Sequence, residues 1–138
     1  MKIIHSIATL DMSAGGPSRS LPNICIGLNR KGVEQQIITF NSKNPNTHQL
    51  IEDNIDILFV EKKQKFALDF REVIKCLDGD VFHLHNLWSP SLHWTASMCR
   101  KKNIPYIISP RGTLEPWPLS QKWLKKRFIH IKSGCAHH

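Results

Sequence analysis

Ile55-Asp56-Ile57-Leu58-Phe59-Val60 places five apolar side chains in six consecutive positions, with no glycine or proline among them. A run this short and this apolar reads as a strand with both faces covered, the pattern of a parallel sheet. The flanking segments follow another rhythm. Downstream, Phe66, Phe70, Val73 and Leu77 fall on one face of a helix. Upstream, Gln35 to Phe40 is a second Ile- and Thr-rich strand. Between the two strands, Asn41 to Asn54 is polar, contains Pro45 and several Asn, and reads mostly as loop.

The same alternation extends to both ends. Lys2 to Ile7 reads as the first strand. A helix follows, with Pro17 early, Leu21, Ile24, Cys25 and Leu28 at helical spacing, and Gly32 just past its end. Asp80 to His85 is a further strand, entered through the turn Asp78-Gly79. Ser89 to Lys102 is a helix opened by Ser89 as N-cap and Pro90 in the first turn. Tyr106 to Ser109 is the fifth strand, and Ser120 to Ile131 a last, basic helix. Strands separated by helices of this length give right-handed crossovers, hence an α/β fold with a parallel sheet and helices on both faces.

The 138 residues hold one domain with a real core, and 41% hydrophobic with 22% charged residues excludes a disordered chain. No apolar run reaches the ~20 residues of a membrane span, and Met1 to Ile7 is too short for a secretory leader. A cytoplasmic location is expected. Cys25, Cys76, Cys99 and Cys135 lack the spacing of a zinc or disulfide framework. The first three, in predicted helices, are expected as reduced, buried thiols. The net charge of +8 is unevenly placed: residues 1–99 balance, whereas residues 100–138 contain nine Lys/Arg and only Glu115. A basic C-terminal third points to an anionic partner.

Three clusters fall at predicted strand ends, where open α/β sheets bind ligands. In Ser13-Ala14-Gly15-Gly16-Pro17-Ser18-Arg19, paired glycines before a helix N-terminus suit a phosphate, or simply a turn with a cap. The loop is neither GxGxxG nor a Walker sequence. In His83-Leu84-His85-Asn86-Leu87-Trp88 the two imidazoles share one face of a strand. A metal would require a third ligand and none is patterned nearby, so no metal is expected and His85 is read as a substrate contact or a core histidine. In Ser109-Pro110-Arg111-Gly112-Thr113-Leu114-Glu115-Pro116-Trp117, the Arg111 guanidinium suits phosphate or carboxylate. Gly112 permits close approach, and Glu115 accepts hydroxyls or pairs with Arg111. Trp88 and Trp117 are read as packing residues. The last helix sets Trp123, Leu124, Phe128 and Ile131 against Lys122, Lys125, Lys126, Arg127 and Lys132, a core-facing stripe or a membrane-surface face. Nucleic acid is not an expected partner.

Taken together, these motifs resemble the N-terminal half of the family 4 glycosyltransferases, the retaining GT-B type. The similarity runs through Ser13–Arg19, Asp80–Pro90 and Asn103–Trp117, in the family's order, and spans about residues 1–128. It implies a Rossmann-like domain over residues 1–129, the first half of a GT-B architecture. It further implies sugar transfer from a nucleotide-sugar donor to a saccharide or lipid-linked acceptor, in surface polysaccharide or lipopolysaccharide assembly at the inner membrane face. Gly15 and Gly16 would lie near donor phosphates, Arg111 on an anionic group with Gly112 permitting close approach beside it, and His85 and Glu115 on sugar hydroxyls. No residue is assigned as nucleophile and no cofactor is implied.

The chain departs from that family after about Phe128. Residues 130–138 read as a divergent tail, and the nucleotide-sugar-binding C-terminal domain is absent from the sequence. A truncated or split enzyme, inactive alone and completed by a partner polypeptide, is the expectation, with Tyr106–Ser109 left as an uncovered apolar edge. The alternative is a free-standing Rossmann-like module for an anionic small molecule or a protein partner. A cofactor-dependent oxidoreductase is disfavoured by the missing GxGxxG and by the lack of an acidic residue closing the second strand.

Overall fold

A computed structural model of the chain describes residues 1–110. Five strands, β1 (Lys2–Thr9), β2 (Glu34–Phe40), β3 (Asp56–Val60), β4 (Val81–His85) and β5 (Tyr106–Ser109), form one sheet in the order β3-β2-β1-β4-β5. Every pairing is parallel. Four helices connect them: α1 (Gly16–Arg30), α2 (His48–Glu52), α3 (Leu68–Ile74) and α4 (Pro90–Lys102). The predicted α/β, Rossmann-like architecture is therefore the observed one. Arg111, Gly112, Glu115, Trp117, the Ser120–Ile131 helix and Cys135 lie outside the described residues.

Helices cover the sheet on both sides because alternate strand residues are apolar on both sides. One core joins Ile4, Ile38, Phe82 and Leu84 to Phe70 and Ile74 of α3 and to Leu92, Ala96 and Cys99 of α4. The other joins Ile7 and Ile37 to Leu21 and Cys25 of α1 and to Leu50 of α2. One polar contact fixes α4 over the sheet centre. The Thr95 hydroxyl donates to the Ser91 carbonyl (2.9 Å), so the Ser6 hydroxyl, 2.9 Å away, is the donor to Thr95.

Several local expectations change. The Ile55–Val60 run begins its strand at Asp56 and forms an outer strand, with Phe59 37% exposed, so it is not buried on both faces. The fully buried strand interiors belong to β1 and β2, whose central residues are enclosed. Residues 41–54 contain α2, formed because Leu50 supplies an anchor beneath α1. Phe66 precedes α3 in a left-handed conformation (φ 57°) and is 74% exposed, so it leaves the predicted face; Phe70 and Val73 keep it within α3, and Leu77, just past the helix end, packs against the same core. Ser89 occupies the N-cap position, but its hydroxyl pairs with Ser91 and not with a backbone N–H. Cys76 is exposed in the turn after α3, whereas burial pushes the Cys25 and Cys99 thiols up to about 12. β5 is an outer strand of the described sheet, with Ile107 58% exposed.

Gly79 shows how tightly the entry to β4 is set. A Cβ there would stand 2.5 Å from Ile4 Cγ1, in the centre of the core. Gly79→Ala is expected to lower stability by about 1–3 kcal/mol through overpacking, measurable as a shifted urea midpoint with an unchanged slope.

Candidate functional site

The strand order reverses between β1 and β4. From β1 the chain proceeds outward through β2 and β3, and from β4 outward through β5 on the opposite side. The connections after these two neighbours therefore diverge to opposite faces and leave a crevice beyond their carboxyl ends, the place where open α/β sheets bind ligands. The loop after β1 carries Gly15 and Gly16, and the loop after β4 begins at Asn86. Two of the three sequence clusters thus meet at one topological position.

On the β1 side, Gly15 adopts φ 88°, ψ −144°, a conformation that favours glycine, and caps the 15-residue α1. A Cβ at Gly15 or Gly16 would touch no described residue within 4 Å, so it is conformation, not a close contact among the described residues, that requires Gly15. The first turn of α1 has no acidic residue and, among the described residues, no side-chain cap, so the positive end of its dipole is not offset there. The Ser18 hydroxyl donates to the Gly15 carbonyl (2.7 Å) and holds the loop against the helix.

Asp11 braces the same loop. Its carboxylate accepts the Ser13 hydroxyl (2.6 Å), the Ser13 N–H (3.0 Å) and the Asn44 N–H (3.2 Å). These bonds, led by the Ser13 hydroxyl, lower its pKa from 3.8 to about 2. A depressed carboxylate stabilises the fold fully above its unfolded pKa and loses that contribution as pH falls toward the folded one. The loop brace is therefore expected to weaken between about pH 4 and pH 2. A carboxyl NMR titration should show Asp11 titrating near 2, and Asp11→Asn should remove that component of the acid dependence.

On the β4 side, His83 and His85 share one face as expected, and β1 adds His5, which lies directly opposite His83 in the strand register. His5 and His85 are fully buried and His83 is half-buried. His5 Nδ1 lies 3.2 Å from His85 Nε2, and His5 Nε2 lies 3.0 Å from Gln35 Oε1. Gln35 Nε2 in turn donates to the Cys25 carbonyl (2.7 Å). His83 Nε2 is 2.6 Å from Ser109 Oγ at the end of β5. The third imidazole that the spacing of His83 and His85 did not reveal is thus on the neighbouring strand.

Asn86 follows with φ 78°, a left-handed conformation uncommon outside glycine, and its N–H donates to the Ser109 carbonyl (2.9 Å). Strained residues of this kind concentrate at ligand sites. Beside it, a shallow pocket is lined by Leu84, Asn86, Leu92, His93, Ala96 and Ile108.

Of the residues singled out from sequence, Gly15 and Gly16 lie on the β1 side of the crevice. His85 is at its floor, turned into the imidazole cluster. Trp88 is half-buried. His5, Gln35 and Asn86 were missed. His5 and Gln35 are polar residues inside strands otherwise rich in Ile, which is a signal of a kind, but their meeting with His85 depends on strand order. Comparison with protein-family models, curated proteins and solved structures finds no match to this chain.

Proposed function

We propose that this chain is the acceptor-side half of a glycosyltransferase that moves a sugar from a nucleotide-sugar donor to a saccharide or lipid-linked acceptor, and that it is inactive by itself. One observation carries the reading: the Gly15-Gly16 loop and the His85-Asn86 strand end flank the β1/β4 switch point. In this reading the helix N-terminus at Gly15 takes donor phosphate charge, and Asn86, supported by His85, lines the saccharide side. Arg111, Gly112 and Glu115 lie outside the described residues; the same reading assigns Arg111 to an anionic group and Glu115 to sugar hydroxyls. Transfer depends on holding donor and acceptor together and on stabilising the leaving diphosphate, so one wall of the cleft is insufficient.

Titrating the isotopically labelled chain with a set of nucleoside-diphosphate sugars, and separately with pyrophosphate, tests the reading. Amide shifts are expected at Gly15 and Gly16 with both, and additionally at Asn86 with the sugars, without sugar turnover. Shifts confined elsewhere would sink the proposal, as would donor turnover by the chain alone. Identical maps for sugar and pyrophosphate would favour a free-standing anion-binding module.

A cytoplasmic location, peripheral at the membrane face, belongs to the same proposal. No helix among the described residues is long and apolar enough to cross a membrane. What supports surface attachment is Phe66, 74% exposed next to Lys62, Lys63 and Lys65. An apolar ring among cations suits an anionic lipid surface. Phe66→Ser is expected to reduce co-sedimentation with phosphatidylglycerol vesicles several-fold, and unchanged binding would remove this surface from the proposal.

A further inference from the structure

We propose that His5, His83 and His85 form a binding site for a divalent transition-metal ion, zinc above all. Each offers a ring nitrogen, and the three nitrogens lie within 4.8 Å of one another across the β1/β4 pair. The 3.2 Å between His5 Nδ1 and His85 Nε2 is close to the edge, about 3.3 Å, of a tetrahedron with metal–nitrogen bonds of about 2.0–2.1 Å.

The surrounding hydrogen bonds orient the set for a cation. Gln35 has its amide polarity fixed by donation to the Cys25 carbonyl, so its Oε1 accepts the proton on His5 Nε2. The lone pair of His5 is thereby placed on Nδ1, facing His85. Metal-ligating histidines are held in this way, with the second ring nitrogen donating to an oxygen behind it. Ser109 Oγ, 2.6 Å from His83 Nε2, can accept a proton from His83 in the same manner.

Three neutral imidazoles suit zinc, and also copper or nickel, and discriminate against magnesium and calcium, which prefer oxygen. Zinc held by three histidines keeps a fourth position for water or a substrate atom. Half-buried His83 provides the side from which an ion enters. In the metal-free cluster His85 Nε2 donates its proton to His5 Nδ1; to bind zinc through Nε2, His85 takes the other tautomer, with its proton on Nδ1, and so remains a neutral ligand.

The experiment uses the full chain with His137→Ala and His138→Ala, which removes the terminal histidine pair as a competing ligand. Calorimetric titration with zinc chloride is expected to show one ion per chain with micromolar or tighter affinity. Gln35→Leu should weaken it about 10–100-fold, and His83→Gln should weaken it further, with circular dichroism confirming that each variant is folded. An independent readout requires no ligand substitution. Zinc should move the imidazole nitrogen signals of His5, His83 and His85 while leaving exposed His48 unchanged. Absence of binding at millimolar zinc, shifts confined to other histidines, or affinity unaltered in His83→Gln would each overturn the proposal and leave the cluster as a hydrogen-bonded core.

Discussion

Replacing Phe82 by alanine is expected to lower the unfolding free energy by about 3–5 kcal/mol. Phe82 is fully buried on β4, between β1 and β5, and belongs to the core shared with α3 and α4. Truncation removes the apolar transfer energy of the ring and leaves a cavity in the layer that holds both helices. The neighbours cannot collapse readily into it, because Ile4 is already wedged against Gly79 and Leu84 lies two residues along the same strand. Small domains have only about 5–15 kcal/mol in total. A loss of this size therefore moves the variant from fully folded to marginal. Equilibrium urea unfolding followed by circular dichroism measures it, and a loss below about 1 kcal/mol would mean that the β4 face repacks.

His5→Leu is the second large effect, for a different reason. The imidazole is fully buried and bonded on both sides, to His85 Nε2 and to Gln35 Oε1. Leucine fills the volume but answers neither neighbour. Each buried polar group deprived of its partner costs about 1–3 kcal/mol, so the expected loss is about 2–6 kcal/mol. The compensating variant is informative. Adding Gln35→Leu and His85→Leu removes the orphaned groups and should recover much of the stability, although Gln35 also leaves the Cys25 carbonyl without its donor. A triple variant no more stable than His5→Leu would show that shape, not polarity, governs this layer.

The elements of the fold were legible because they are local. The apolar rhythm around Leu21 and Cys25, the proline early in α1 and α4, and the short apolar strands located the five strands, α1 and α4 to within two residues, whereas the sequence of α2 reads as loop. Errors arose where tertiary context overrode pattern. Phe66 matches a helical face by spacing, yet the left-handed backbone at Phe66 and Ala67 turns it into solvent. Ile55 to Val60 is as apolar as an interior strand but lies at the outside of the sheet. The candidate site was legible in part for the same reason. Gly15, Gly16 and His85 are conspicuous within their own segments, whereas His5 and Gln35 gain significance only from β1 lying between β2 and β4. Register between strands is not encoded in any one strand's pattern.

The strand order also has a consequence for how the chain is made. β1 occupies the sheet centre, yet one of its two partners, β4, is encoded far downstream; His5 and the His85 it bonds are separated by 80 residues. At ribosomal rates of about 5–20 residues per second, β1, β2 and β3 are all available for roughly 1–5 s before β4 is complete. During that interval the three-stranded intermediate presents the β4-facing side of β1 unpaired, with His5, bonded to Gln35 on β2, turned toward the place where His85 will dock. An open strand edge of that kind recruits any extended chain nearby. Synthesis of this protein therefore has a vulnerable window that closes only when β4 arrives.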